Sequence, residues 1–263
     1  MFTLITSLYH SDRYLDKYVK NLKKFVDFLS KNGVDFEVII IANNPSAKEK
    51  ELQKIFAGEK WLVFKEVPRE PLYISWNRGI EMARGDIIGF WNVDDIRYPE
   101  AMIDGLRLIK DGADVVYFPF IIKWYLNLFG LDLLVKKREI KPLLFDRDKF
   151  TSGMHCGPFM LIRKDFYRQV GPFDEQFKVV GDFDWCVRAA KISDKFVLSE
   201  KNGGVFRVDG GGLSAGGRKR HVLENNIVFA RHKLPNQLNN FTEEEISKFK
   251  INQILYKNNF ISL

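Results

Sequence analysis

Short, largely apolar segments recur along the first half of the chain, and the segment at 38–42 is continuously apolar. They lie at residues 2–7, 38–42, 61–67 and 86–91. Runs of this length are typical of strands that are buried on both faces of a parallel sheet. They predict the core of an α/β domain.

Between these runs, apolar residues recur every three to four positions. The segments with this spacing are 15–29, 74–84 and 99–110. The spacing predicts helices with one buried face, and strands that alternate with helices predict a mostly parallel central sheet flanked by helices. We expect Ser11 to cap the first helix and Gly33 to end it in a left-handed conformation.

The second half of the chain has weaker periodicity. Residues 121–150 mix apolar side chains with a basic run at 136–138, and we interpret this segment as loops that shape a binding pocket. A strand is predicted over 158–163 and a glycine-bounded mobile loop over 210–217. A capping box, formed by Thr242 with Glu245, predicts a helix near the end of the sequence.

Length and composition indicate a single globular unit. The 263 residues are 46% hydrophobic and 29% charged, which is sufficient for a sizeable core. We expect one α/β domain over residues 1–217 and a helical extension over 218–263 that packs on the same domain. The net charge of +7 favours anionic partners, although a solubility feature without a specific partner accounts for it equally well.

The sequence also limits the cellular context. Cys156 and Cys186 are too few for a disulfide framework or a zinc site. No apolar stretch approaches the roughly 18 residues of a membrane span, and the first residues lack the pattern of a signal peptide. We therefore expect a cytoplasmic protein.

The first acidic motif is Asn92-Val93-Asp94-Asp95, directly after the apolar run at 86–91. Carboxylates at the end of such a strand face the ligand crevice. One or two carboxylates together with substrate phosphates suit Mg²⁺ or Mn²⁺. The motif predicts a metal and diphosphate site, and a polar turn is the alternative.

The residues around this motif resemble family 2 glycosyltransferases of the GT-A fold. The matching elements are Asn77-Arg78-Gly79-Ile80 on a helix, Ala83-Arg84-Gly85, the apolar strand, and the acidic motif. The resemblance implies a Rossmann-like sheet, a nucleotide-diphosphate sugar donor and Mn²⁺ or Mg²⁺ as cofactor. It makes Asp94 the main metal and diphosphate residue. Asn92 stands where many members carry Asp, so it would be a weaker oxygen ligand or a hydrogen-bond partner of the donor.

Other residues take donor-binding roles from the same resemblance. Ser7 and Tyr9 follow the first strand, where family members meet the nucleotide, and Asn77 and Arg78 belong to the helix motif. Asn43 replaces acidic residues that normally contact the base or ribose, and its amide offers both a hydrogen-bond donor and an acceptor. A simple turn explains Asn43 nearly as well. The donor is expected to be UDP-, GDP- or dTDP-linked.

The second acidic motif follows a segment, residues 171–177, that also resembles the family. Asp182 aligns with the family's general base, which must remove a proton from the acceptor hydroxyl during attack. Asp184 lies two residues further and points elsewhere on a helix, so it is assigned a structural or acceptor-binding role. The alternative for Asp182 is a helix N-cap, and the two roles are compatible.

A third match places Asp209 where many family members carry a histidine that ligates metal. Aspartate also suits a hard cation, so Asp209 is predicted as a second metal ligand, with a lost site as the alternative. The basic run at 218–220 would close over the diphosphate or form a solvated surface.

Taken together, the motifs predict a metal-dependent, inverting glycosyltransferase that acts on a glycan or lipid-linked acceptor and binds no nucleic acid. The alternatives are a non-catalytic sugar- or nucleotide-binding module of the same fold, or a nucleotidyltransferase. The apolar and basic segments at 121–150 and 218–220 also suggest peripheral contact with the inner face of a membrane.

Overall fold

A computed structural model describes residues 1–150, 152–210 and 218–234 of the chain, with no side-chain description for Arg218. The strands are β1 (Phe2–Leu8), β2 (Phe36–Asn43), β3 (Leu62–Val67), β4 (Ile87–Phe90), β5 (Ile96–Arg97), β6 (Val115–Tyr117), β7 (Phe120–Leu128), β8 (Leu131–Ile140), β9 (Leu161–Arg163), β10 (Phe196–Leu198) and β11 (Gly204–Val208). The helices are α1 (Asp12–Lys31), α2 (Ala47–Ile55), α3 (Leu72–Met82), α4 (Pro99–Lys110), α5 (Arg147–Phe150), α6 (Lys164–Val170), α7 (Gly181–Ile192) and α8 (Arg218–His232).

A seven-stranded sheet forms the centre of the molecule, in the order β10-β6-β9-β4-β1-β2-β3. Strands β1 to β4 are parallel to their neighbours in this group, and β9 is antiparallel to both β4 and β6. The mostly parallel α/β fold predicted from the sequence is confirmed. Because parallel strands end at the same edge, the residues after β1, β2, β3 and β4 meet along one side of the sheet.

Helices cover both faces of this sheet. On one face, Leu4 and Leu8 of β1 pack in a cluster with apolar residues of α1, α2 and α4. On the other face, Ile5 packs in a cluster with residues of α3, α6 and α7. This side also includes α8, whose Leu223 and Ile227 are buried in the same cluster. The described part of the proposed extension therefore shares the core of the domain, and residues 235–263 lie outside the described residues.

A second, smaller sheet contains the strands β5-β11-β7-β8. In this sheet, β11 is parallel to β7, and β7 and β8 form an antiparallel hairpin with an irregularity between Trp124 and Tyr125. The interpretation of residues 121–150 as loops is wrong for most of its length, since β7 and β8 cover 120–128 and 131–140. Among the described residues, no helix is both long and apolar enough to cross a membrane.

The helix ends agree only partly with expectation. Gly33 has φ +67°, as predicted for the residue that ends α1. Ser11 precedes α1, but its hydroxyl accepts a hydrogen bond from the Tyr9 N–H instead of capping the helix, so the predicted cap is wrong. The predicted loop at 211–217 and the helix from Thr242 lie outside the described residues.

Candidate active site

The loop after β4 contains the first acidic motif, and two adjacent carboxylates there differ in their surroundings. Asp95 is buried and accepts a 2.8 Å hydrogen bond from the Arg207 backbone N–H. Asn92 donates to Asp95 at 3.4 Å, and the Trp91 indole N–H donates to the Asp95 carbonyl at 3.1 Å. Asp95 therefore fixes the loop to β11, and this structural role was not predicted from the sequence.

Asp94 has a different environment at the rim of the same loop. Its side chain is partly exposed, and within the described residues no side chain of another residue forms a hydrogen bond with it. Burial raises the pKa of Asp94 to about 6, and the negative charge of Asp209 adds to this effect against the opposing charges of Arg207 and Arg13. Asp94 thus carries a carboxylate whose charge is weakly compensated by the protein, as a cation-binding group requires.

Asp209 follows β11 and lies close enough to Asp94 for its charge to act there. One of its oxygens, Oδ2, accepts from the Tyr14 hydroxyl at 2.8 Å and from the Arg207 Nε at 2.6 Å, and Arg13 Nη2 lies 3.3 Å away. Burial, followed by the bond to Asp209, raises the pKa of Tyr14 to about 12. The two predicted metal ligands are therefore neighbours, but Asp209 is enclosed by cationic and hydroxyl partners.

These ligands fit a cation that the protein shares with substrate phosphates better than a cation that the protein holds alone. Over residues 1–150, 152–210 and 218–234, no three His, Cys, Asp or Glu side chains are grouped as a metal site. Asp94 supplies an oxygen of the type that Mg²⁺ and Mn²⁺ prefer, and these ions commonly take one or two carboxylates together with substrate phosphates. The residues present are compatible with that arrangement.

The ends of β1 and β2 are joined by a buried amide. The Asn43 Nδ2 donates to the Ser7 hydroxyl at 3.1 Å and to the Ser75 hydroxyl at 2.9 Å. Its Oδ1 accepts from the Glu70 N–H at 3.1 Å, and the residue is 1% exposed. Asn43 therefore uses its amide inside the protein, where it positions Ser7 and Ser75 instead of presenting a free hydrogen-bonding edge to a ligand.

Glu70 is the centre of a polar cluster at the same edge. It forms a bidentate ion pair with Arg78, at 3.1 Å from Nε and 2.8 Å from Nη2, and accepts from the Ser75 hydroxyl at 3.1 Å. The neighbouring Arg69 lies 4.9 Å from the centre of the exposed Tyr9 ring. Sequence reasoning missed Glu70, although the turn Pro68-Arg69-Glu70-Pro71 after the third predicted strand marks a position at the ligand edge.

Asn77 has no free hydrogen-bonding edge for a donor. Its Nδ2 donates to the Phe173 carbonyl at 2.9 Å and to Glu175 at 3.1 Å, and its Oδ1 accepts from the Tyr167 hydroxyl at 2.7 Å and the Phe173 N–H at 3.0 Å. The residue is 5% exposed. Asn77 therefore connects α3 to the segment before α7 through hydrogen bonds. Because these bonds use its whole amide, the donor-binding role expected for this residue is revised.

Asp182 lies in the first turn of α7 and faces α3. Val180 occupies the cap position, so the alternative interpretation of Asp182 as the helix N-cap is wrong. The Asp182 Oδ1 accepts from the Tyr73 hydroxyl at 3.1 Å and from the Phe183 N–H at 2.9 Å. Burial raises the pKa of Asp182, although both hydrogen bonds act in the opposite direction. A raised pKa suits a carboxylate that must accept a proton near neutral pH.

Tyr73 connects Asp182 to the ligand edge of the sheet. It lies in the first turn of α3, which begins shortly after β3 ends. A side chain at Gly181 would come within 2.7 Å of the Tyr73 ring, so the absence of a Cβ permits this close approach. Tyr73 was not singled out in the sequence, because its contact with Asp182 joins segments 109 residues apart.

Asp184 is fully buried on the opposite side of α7. Arg188 Nε donates to it at 3.0 Å, Arg231 Nη1 donates at 3.1 Å, and His232 Nε2 lies 3.0 Å away. These contacts include α8, and their charges hold the pKa of Asp184 well below its ordinary value despite burial. The structural role assigned to Asp184 agrees with this geometry, and complete burial leaves it no contact with an acceptor.

Comparisons with known proteins agree on one family. The model of the family described as "Glycosyl transferase family 2" matches residues 3–171. The PGL/p-HBAD biosynthesis glycosyltransferase of Mycobacterium tuberculosis is 23% identical over 165 residues, which are 59% of this chain and 58% of that protein. The amylovoran biosynthesis glycosyltransferase AmsB of Erwinia amylovora is 26% identical over 175 residues, with 62% and 57% covered. The chain thus spans less than two thirds of the length of these relatives.

Solved structures share the same fold at low sequence identity. S. aureus TarS 1–349 in complex with UDP-GlcNAc has a TM-score of 0.66 and 14% identity, with 94% of this chain and 70% of that chain covered. The same TarS fragment in complex with UDP has a TM-score of 0.63 and 14% identity, with 94% and 69% covered. The GT-A fold expected from the sequence is confirmed by these neighbours.

Proposed function

The chain belongs to glycosyl transferase family 2, and we propose that it transfers a sugar from a UDP-, GDP- or dTDP-linked donor to a hydroxyl group of a glycan or lipid-linked acceptor. The observation that carries the proposal is the proximity of Asp94, after β4, to Asp209, after β11, together with Asp182, which accepts a hydrogen bond from Tyr73 at the start of α3. Burial raises the pKa of both Asp94 and Asp182. UDP and UDP-GlcNAc are bound by the structurally similar TarS, which supports a nucleotide-sugar donor.

Asp94 is proposed as the main ligand of Mn²⁺ or Mg²⁺, with the Asn92 amide oxygen as a weaker ligand or a donor contact. Such a metal would supply charge neutralisation for the departing diphosphate. Asp209 is proposed as a second ligand, through a carboxylate whose Oδ2 also accepts from Tyr14 and Arg207. In the absence of a cation, the same two partners hold Asp209 in position beside Asp94.

The nucleotide is proposed to lie over the ends of β1 and β2. Ser7 near the end of β1 is partly exposed, and Tyr9 and His10 in the following loop are exposed. Arg69 against the Tyr9 ring offers a cation near a base or phosphate. Arg78 is 40% exposed while Glu70 holds its guanidinium at a fixed angle. Asn43 acts through Ser7, so its contribution to donor binding is indirect.

Asp182 is proposed as the general base of an inverting reaction. It would accept the proton of the acceptor hydroxyl as that oxygen forms a bond to the anomeric carbon, and the bond to the diphosphate would break on the opposite face of the sugar. One base without a covalent intermediate inverts the configuration. The Tyr73 hydroxyl, which donates to Asp182, would hold the carboxylate in the orientation that accepts this proton.

The test compares Asp182→Asn with wild type. A thermal-shift screen of nucleotide sugars with and without Mn²⁺ first identifies a bound donor. Asp182→Asn should keep donor affinity, because the amide preserves size and much of the hydrogen bonding, but lose roughly 10²–10⁴-fold in nucleotide release with an acceptor or with water. Asp165→Asn is the matched control, since Asp165 is an exposed carboxylate in the first turn of α6.

Two outcomes would contradict this function. Transfer by Asp182→Asn at the wild-type rate would remove Asp182 as the base. Binding of a donor without any turnover by the wild type, across the acceptors tested, would instead favour a non-catalytic sugar- or nucleotide-binding module.

A cytoplasmic location at the inner membrane face is proposed as well. The support is the basic and apolar character of residues 121–150 together with the basic residues 218–220. Arg220 also pairs with Glu224 of α8, so part of the second segment has an internal role.

A further inference from the structure

The hairpin formed by β7 and β8 presents a concentration of apolar side chains to solvent. Phe129 at its turn is 96% exposed, and leucines on both strands are about half exposed or more. The exposed leucines of the hairpin are Leu126, Leu128, Leu131, Leu133 and Leu134. A contiguous patch of this kind in a protein with a complete core marks an interaction surface.

The strand pairing divides the hairpin into two faces. Leu126 pairs with Leu133 and Leu128 pairs with Leu131, and these pairs are separated by the pair of Asn127 with Asp132. Because side chains alternate between faces, the four leucines lie on one face and Asn127 and Asp132 lie on the other. We call the face with these four leucines the leucine face.

The opposite face is already occupied by the protein. Asp132 forms ion pairs with Arg13, at 3.0 Å, and with Arg207. The Arg207 guanidinium also lies 4.1 Å from the centre of the Tyr125 ring. These contacts hold the hairpin against α1 and β11, so the leucine face is directed away from the domain.

The turn of the hairpin contains an aromatic residue, Phe129, in a backbone conformation that is unfavourable for large side chains. Phe129 has φ +51° and Gly130 has φ +81°. Two-residue turns with positive φ at both positions favour Asn or Asp followed by Gly, whereas a large aromatic side chain is strained there. Phe129 packs against almost nothing, so neither turn geometry nor core packing accounts for it.

Basic residues follow the leucines toward the base of the hairpin. Trp124 is next to Leu126 on the leucine face, and the Lys136 ammonium lies 5.4 Å from its ring centre. The register places Lys136 opposite Trp124 and Arg138 opposite Ile122, on this same face. The acidic residues of the hairpin lie on the other face, where Asp132 is opposite Asn127 and Glu139 is opposite Ile121. The leucine face therefore has an apolar tip, an amphipathic indole and then two cations, and among the described residues no ion pair joins Lys136 or Arg138 to a carboxylate.

We propose that the hairpin docks on an anionic lipid bilayer, with the leucines and Phe129 in the acyl boundary and with Lys136 and Arg138 against the headgroups. This order of apolar, aromatic and basic groups matches the order of layers in a membrane interface. The proposal rests on and deepens the membrane-face location proposed above, and it needs no sugar-transfer chemistry, so vesicle binding and sugar transfer can fail separately.

The test is co-sedimentation of the full chain with vesicles of phosphatidylcholine alone or with one quarter phosphatidylglycerol. The wild type should bind the anionic vesicles more tightly. Leu128→Ser/Phe129→Ser/Leu131→Ser should weaken binding to both lipids by tenfold or more, since burial of each such side chain contributes on the order of tenfold. Lys136→Gln/Arg138→Gln should remove the preference for anionic lipid, a loss on the order of tenfold.

Matched controls separate this surface from general stickiness. Ile55→Ser/Ile192→Ser removes two exposed apolar residues of comparable exposure elsewhere, and Lys20→Gln/Lys24→Gln removes two exposed cations of α1. Both controls should bind vesicles like wild type. All substituted side chains are at the surface, so thermal midpoints should be similar.

Three results would overturn the proposal. The first is equal vesicle binding by the apolar triple variant and the wild type. The second is the absence of any preference for anionic over neutral vesicles. The third is a lipid-free dimer in sedimentation velocity that the triple variant abolishes, since a second copy of the chain would then cover the leucine face.

Discussion

Asp182 and Asp184 stand two residues apart in the first turn of α7, yet their carboxylates have opposite surroundings. Asp182 is partly exposed and its side-chain partner is the neutral Tyr73 hydroxyl. Asp184 is fully buried and contacts Arg188, Arg231 and His232. Burial raises the pKa of Asp182, whereas cationic partners lower the pKa of Asp184.

Burial alone does not decide whether a carboxylate stabilises the fold or accepts a proton. Desolvation disfavours the charge of both groups, and the outcome depends on whether cations compensate it. A compensated carboxylate stabilises the fold and is a weak base. An uncompensated one retains proton affinity and is available to substrate.

The largest effect is expected for Asp184→Asn. Removing one partner of a buried ion-pair network leaves charge uncompensated, so the free energy of unfolding should fall by about 3–5 kcal/mol. Urea denaturation at pH 7 measures it, with Asp165→Asn as control. Because the pKa of Asp184 is lowered in the folded protein, its contribution is present above pH about 4 and is lost on acidification. An unchanged unfolding midpoint at pH 7 would contradict the structural role.

Asp94 extends the comparison to a carboxylate near cations that still keeps a raised pKa. Since the folded-state pKa of about 6 exceeds the ordinary value, Asp94 lowers stability progressively as pH rises from about 4 to 6. Asp94→Asn should therefore raise the free energy of unfolding at pH 7 by about 1–3 kcal/mol. It should also abolish the Mn²⁺-dependent part of donor affinity, measured by calorimetry with and without EDTA. Lower stability together with unchanged Mn²⁺ dependence would contradict both roles.

The smallest effect is expected for Tyr73→Phe. Loss of the hydroxyl that stabilises ionised Asp182 should raise the pKa of the carboxylate further, so the acidic limb of the pH–rate profile should move upward by about one pH unit or less. Stability should change little. Tyr167→Phe is the matched control, because this buried tyrosine donates to Asn77 instead. An equal displacement of the profile in both variants would show that Tyr73 acts only through packing.

The parallel half of the fold was predictable because its strands are covered on both faces. Continuous apolar runs and helical spacing place β1 to β4, and α4 begins and ends where the pattern predicts. Helix α2 was missed even though Ser46 and Glu49 form the capping box that starts it. The hairpin was missed for a physical reason. The irregularity between Trp124 and Tyr125 leaves Val135 as an extra residue in β8. The strand therefore contains three consecutive apolar residues, Leu133, Leu134 and Val135, and these interrupt the alternation of side chains that indicates a strand.

The positions of the acidic residues at strand and helix ends could be predicted from the sequence, and their proposed roles stay predictions. The contacts of the two amides could not be predicted. Asp94, Asp182 and Asp209 follow from motifs that lie at strand and helix ends. The roles of Asn43 and Asn77 depend on partners from distant segments, such as Glu70 and Phe173, which spacing within a motif does not reveal. Tyr73 is similar, since its partner is on another helix.

Arg13 links the hairpin to Asp209, and this link sets the distance between Asp209 and any surface that the hairpin tip contacts. One nitrogen of Arg13, Nη2, lies 3.0 Å from Asp132 and 3.3 Å from Asp209. Asp132 is two residues from the turn, or about 7 Å along the strand. A bilayer at the tip would therefore hold Asp209, and Asp94 beside it, close to the headgroups. In that arrangement the hairpin would set the distance between the carboxylates of Asp94 and Asp209 and the lipid headgroups.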